Sequence, residues 1–172
     1  MGDIIGGSKG KTNPNGTLYT RSQKLLASRL RRKSFDPDNY KIVYMGDSWA
    51  AEGNYTGIGV LNKALDVIRG TKPLYVLHGG DIVFTGSKEQ LTYFSNKVKE
   101  RIPGGPLFVA VGNHESTLKN GTTSLNNFKK IIGPAALHFT VRSPYVKVIG
   151  LSSVSPNGGK PYGKKVPVAW QL

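Results

Sequence analysis

The sequence predicts an α/β fold, a mixed β-sheet sandwich flanked by helices and incomplete towards its C-terminus. Three observations carry this. Three short apolar runs each end in glycine and a polar residue: KIVYMGD (41–47), LYVLHGGD (74–81) and LFVAVGNHE (107–115). Segments with helical spacing separate them. A later stretch, HFTVRSPYVKVIGLSS (138–153), reads as two strands joined by a turn around Ser143-Pro144, so the tail is antiparallel.

Taken in order, residues 1–38 form a basic, Gly- and Asn-rich extension that ends at the breaker Asp36-Pro37-Asp38, and residues 39–172 form the domain. Within the extension, Leu25, Leu26 and Leu30 line one side of a short helix that packs on the domain. Runs of four to six aliphatic and β-branched residues bounded by glycine read as buried strands. Between the first two runs, Leu61, Ala64, Leu65 and Ile68 recur at helical spacing, and Arg69-Gly70 stops the helix. Between the second and third, Leu91, Phe94 and Val98 mark another helix, with Pro103 beyond it. After the third run, Leu125, Phe128 and Ile131 mark a short helix closed by Gly133. Strand and helix in alternation is the pattern of a parallel sheet.

Composition bounds the function. The 172 residues suffice for a core, and 38% are hydrophobic. With no cysteine, disulfides, thiolate metal sites and cysteine nucleophiles are excluded. No apolar run approaches the roughly 18 residues of a membrane span, and the N-terminus lacks the apolar stretch of a signal peptide. The default expectation is a soluble, cytoplasmic chain. The formal charge is +14, and half of it lies in residues 1–35. Such an extension either binds polyanions weakly or is simply solvated. An incomplete domain leaves sheet edges uncovered, which predicts self-association. The early GGSKGKT is not a phosphate-binding loop, because Ile5 stands where that motif needs glycine.

In open α/β sheets, ligands gather beyond the carboxyl ends of the strands. Here those ends carry Asp47, Asp81 and Asn113-His114, spaced 34 and 32 residues apart, about one β-α-β unit each. Two carboxylates, an amide oxygen and an imidazole suit divalent ions such as Mn, Fe or Zn. Two ions about 3.5–4 Å apart can clamp a phosphoryl group. Asp and Asn also cap loops and helices, but three coincident strand ends favour the chemical reading.

These segments, GDSW (46–49), GDIVFTG (80–86) and GNHE (112–115), resemble the first three motifs of the calcineurin-like metallophosphoesterases. The strand pair at 138–153 and the final WQL resemble the next strand pair and helix start of that family, so the likeness spans about residues 40–172. It implies hydrolysis of phosphomonoesters or phosphodiesters by a hydroxide held between two divalent metal ions. It further implies that Asp47 binds the first metal, that Asp81 bridges both, and that Asn113 binds the second. His114 would steady the phosphoryl oxygens and act as general acid.

Two departures stand out. Trp49 occupies the place of a family histidine, and indole cannot ligate a cation. The family's later histidine and His-x-His pair are absent, since His78, His114 and His138 are the only histidines. A chain ending part-way through the domain accounts for the second departure but not the first.

Of the remaining candidates, His78 reads as buried support rather than a ligand, and His138 as structural. Trp49 can pack over the mouth of the site, and Glu115 either orients a neighbour or faces solvent. Two other functions compete. One is a non-catalytic domain that has lost its metals. The other is a GDS-type serine esterase using Ser48, which needs a late histidine that is not there.

Overall fold

The computed structural model describes residues 16–50, 57–117, 120, 121, 123–152 and 154. The early GGSKGKT and the final WQL lie outside the described residues. The elements run α1 (Leu18–Leu30), β1 (Ile42–Met45), α2 (Gly57–Thr71), β2 (Tyr75–His78), α3 (Lys88–Arg101), β3 (Leu107–Val109), α4 (Asn126–Ile131), a 3-10 turn (Pro134–Leu137), β4 (His138–Ser143) and β5 (Val146–Leu151). This is the mixed α/β architecture the sequence predicts.

Strands β1, β2 and β3 form a parallel sheet in that order, with Ile42 opposite Tyr75 and Val76 opposite Leu107. The antiparallel pair β4–β5 does not join it among the described residues; it makes a sheet of its own. The two meet through aromatic side chains. Phe139 of β4 stacks on Phe108 of β3 at 6.0 Å, and Tyr19 of α1 meets Phe108 edge-on at 5.8 Å. On β5, a Cβ on Gly150 would fall 2.3 Å from the Phe139 ring, so only glycine leaves room for that ring.

Helices α2 and α3 bury the stripes expected of them: Leu61, Leu65 and Ile68 on one, Leu91, Phe94 and Val98 on the other. Ser87 caps α3 by accepting from the Gln90 amide at 3.3 Å, and Lys99 and Arg101 sit in its last turn, where cations suit the helix dipole. In α4 the buried positions are Phe128 and the flanking Leu125 and Ile132, while Ile131 is only partly covered. No helix among the described residues is long and apolar enough to cross a membrane.

Helix α1 lies ahead of residue 39, yet it shares the core with the strands. Its buried face is Leu18, Tyr19, Ser22 and Leu26, with Leu30 packed against the core from one side. The hydroxyl of Ser22 donates to the Leu107 carbonyl at 2.7 Å and accepts from the Leu107 amide at 3.0 Å. Both of these backbone groups belong to the outermost strand of the sheet. A strand edge normally needs another strand or water to satisfy it; here one serine serves both groups. Ser22→Ala should leave that buried pair without a partner and lower unfolding free energy by about 2 kcal/mol. Urea denaturation measures this, and an unchanged midpoint would show that the edge does not depend on Ser22.

Candidate metal centre

The loops that follow β1, β2 and β3 leave the same end of the sheet and are stitched together by backbone hydrogen bonds. The Asp47 amide donates to the Gly80 carbonyl (3.2 Å), Trp49 to Asp81 (3.1 Å) and Ala50 to Ile82 (2.8 Å). These bonds carry β1–β2 pairing past the end of the strands. To make them, the first loop adopts left-handed backbone at Asp47 (φ 48°) and Trp49 (φ 42°), and the second at Asp81 (φ 52°). Aspartate tolerates that region; a bulky indole residue does so rarely. Such strain persists only where the surroundings over-determine it, as at functional loops.

Asp81 stands at the junction of the three loops. Its Oδ1 accepts from the His114 amide at 3.1 Å. The third loop comes so close that a Cβ on Gly112 would lie 2.1 Å from the same oxygen and 2.6 Å from the Asp81 amide nitrogen. Glycine at 112 is therefore required by the approach of the two loops.

Beneath them lies Glu115, wholly buried. Its Oε2 accepts from the Gly112 amide (2.7 Å) and the Asp81 amide (2.8 Å), and its Oε1 from Val83 (3.4 Å). Burial raises its carboxyl to about 7, against the opposing pull of those hydrogen bonds and with a smaller upward push from Asp81. The sequence left Glu115 open between orienting a neighbour and facing solvent; it orients the second and third loops. Nothing local in GNHE reveals this, because two of the three amides lie more than 30 residues upstream.

His78 and Ser48 form a second buried pair under the first loop. The Gly80 amide donates to His78 Nδ1 (3.2 Å), so the ring proton sits on Nε2 and is donated to Ser48 Oγ at 3.1 Å. Ser48 in turn donates to the Ile82 carbonyl at 3.1 Å. Burial lowers the His78 pKa to about 4, so the ring is neutral at ordinary pH. A serine that receives a proton from its histidine, and is itself buried, is no activated nucleophile. This geometry removes the serine-esterase reading.

At the rim, Asp47 and Asn113 are exposed and Asp81 is half-buried. His114 Nδ1 lies 2.7 Å from the Phe84 carbonyl, which can only accept, so Nδ1 carries the proton and Nε2 is left for other partners. The imidazole packs against Trp49 (4.7 Å between ring centroids) and Phe84 (5.7 Å). Trp49 remains 42% exposed, so it forms a wall of the rim rather than a plug in it. His138 is on β4, exposed, where its Nδ1 accepts a long hydrogen bond from the Ser152 amide (3.5 Å). Among the described residues no group of three or more His, Cys, Asp and Glu side chains is placed to hold a metal ion. The donors at the rim are two carboxylates and an amide oxygen.

No curated protein matches the chain. The sequence model of one family does, over residues 19–166, from within α1 to well beyond the hairpin. With parallel strands that deliver Gly-Asp, Gly-Asp and Gly-Asn-His to one end of the sheet, and with most of its length matched, the chain belongs to the calcineurin-like phosphoesterase family.

Proposed function

We propose that this chain is a metal-dependent phosphoester hydrolase whose working rim is formed by Asp47, Asp81, Asn113 and His114. Family membership supports hydrolysis of that general kind. The observation that carries the finer reading is the convergence on Asp81, whose side chain takes the His114 amide and whose carbonyl takes the Trp49 amide. A residue whose backbone is held by one flanking loop and whose carboxylate is held by the other is fixed before any ligand arrives, and such preorganisation is what phosphoryl chemistry needs.

In this reading Asp47, Asp81 and Asn113 would hold divalent metal, which when bound would supply charge to stabilise phosphoryl oxygens and to make water more acidic. His114 is oriented by its Nδ1–H on the Phe84 carbonyl, so Nε2 faces substrate. As imidazolium it donates to a phosphoryl or leaving-group oxygen, passing that proton to the departing alkoxide. Trp49 and Phe84 fix the ring plane from two sides.

The test is hydrolysis of p-nitrophenyl phosphate and of bis(p-nitrophenyl) phosphate by the purified chain with Mn²⁺. Release should stop with chelator and fall on the order of 100-fold or more in Asp81→Ala. A second reading, a binding domain without catalysis, is favoured by one observation: Trp49 offers no donor for a cation beside Asp47. Silence on both esters at every metal concentration would replace the first reading with the second.

A further inference from the structure

We infer that Trp49 is a stacking surface that selects phosphate esters carrying a planar aromatic group, a nucleobase or an aryl ring. The phosphate end of that ligand rests on the hydrolase reading proposed above; the ring end rests on how the indole is held.

Backbone is the first observation. Among the described residues, Asp47, Trp49, Lys72, Asp81 and Tyr145 take left-handed backbone without being glycine. All but one have a local reason. Lys72 ends α2, with its amide returning to the Ile68 carbonyl at 3.1 Å. Tyr145 lies in the two-residue turn between β4 and β5, where such a φ is ordinary. Asp47 and Asp81 are of a type that tolerates the region. Trp49 has none of these reasons. Nor does burial offset its strain: Ser48 and Ala50 on either side are buried, whereas Trp49 keeps 42% of its surface exposed. Strain that turns a large apolar ring toward water points to a use for that ring.

The indole is nevertheless held on one side. Its centroid lies 4.7 Å from that of His114 and 5.6 Å from that of Phe84, and those two are 5.7 Å apart. The distances close a triangle, so both neighbours lie to the same side of the indole. Rings in such contact leave no room between them for a ligand. The exposed part of the indole is therefore the surface that a ligand can reach.

That surface adjoins the proposed phosphoryl position. His114 Nδ1 is tied to the Phe84 carbonyl, which leaves Nε2 for a phosphoryl oxygen. A ligand with its phosphate there has its next group beside Trp49. A planar ring gains full face contact on the indole, whereas a sugar or alkyl group gains only loose contact. The formal charge of +14 favours an anionic ligand over a cationic one.

Phosphonates test this without turnover, because their P–C bond is not hydrolysed. Phenylphosphonate, the 5′-phosphonate analogue of AMP, and methylphosphonate are titrated into the full chain with Mg²⁺ and followed by calorimetry. Trp170→Phe removes the other tryptophan, so that indole fluorescence reports Trp49 alone. The better of the two ring-bearing probes should bind on the order of 10-fold tighter than methylphosphonate and quench Trp49. Which of the two is better distinguishes a nucleobase from an aryl ring. Trp49→Leu should erase the preference and Trp49→Phe should keep most of it, with circular dichroism confirming that each variant is folded. Equal affinities in the natural chain, a preference that survives Trp49→Leu, or no binding of either ring-bearing probe below about 10 mM would each overturn the inference. A ring preference without ester cleavage leaves this inference standing and removes the hydrolase reading. Cleavage without a ring preference does the reverse.

Discussion

Replacing Glu115 with leucine should leave the chain unfolded at room temperature, or less stable by on the order of 4 kcal/mol. Three backbone amides, from Asp81, Val83 and Gly112, point at its carboxylate inside the protein. Each buried donor stripped of its acceptor costs about 1–3 kcal/mol, against a total that for a domain of this size is about 5–15 kcal/mol. Glu115→Gln separates the hydrogen bonds from the charge. Its amide oxygen can still serve Asp81 and Gly112, so only the long Val83 contact is lost, and the expected cost is about 1 kcal/mol.

The same pair of proteins tests the pH dependence. Burial raises the folded-state carboxyl to about 7 from an ordinary value of 4.5. Between those limits the folded chain holds a proton that the unfolded chain has released. Stability is therefore highest at the acid end of the window and falls as pH rises from about 4.5 to 7, by about 3 kcal/mol from this group. Urea unfolding in chelator at pH 5 and pH 7.5 should show that fall in the natural chain and lose most of it in Glu115→Gln. An identical slope in both proteins would assign the pH dependence elsewhere.

Gly112→Ala is the second large effect. Its new methyl would stand 2.1 Å from Asp81 Oδ1, which the His114 amide holds, and 2.6 Å from the Asp81 amide nitrogen, which is backbone and cannot swing away. The second and third loops must part. Parting breaks the Glu115 link to Asp81 and the His114 link to Asp81 together. Stability should fall by about 3 kcal/mol, and Mn²⁺ affinity on the order of 100-fold. Gly70→Ala is the control: no atom lies within 4 Å of a Cβ there, and the residue is in α2. It should raise stability by up to about 1 kcal/mol. Equal behaviour of the two variants in calorimetry would sink the close-approach argument.

The fold was legible where local pattern decides structure. The stripes of α2 and α3 are visible because helical spacing puts Leu61, Leu65 and Ile68, or Leu91, Phe94 and Val98, on one face. The three strands are visible because each is apolar on both faces and stops at glycine. That Asp47, Asp81 and Asn113 follow neighbouring strands of one sheet was legible for the same reason. The groups that hold their loops were not. Ser22 looks like an indifferent helix residue until β3 is set beside it. Glu115 stays undecided between orienting a neighbour and facing solvent until two loops, one of them distant in sequence, turn their amides toward it. The separation of β4–β5 from the parallel sheet depends on Phe139 meeting Phe108, a contact across 31 positions that no window of the sequence contains.

Because α1 already occupies the outer margin of β3, a strand added to the described parallel sheet is expected beside β1. An incoming strand, from whatever source, would have to lift a packed helix to dock beside Leu107. Beside β1 it would displace no described strand. A spin label at exposed Tyr44 of β1 should therefore respond to strand addition.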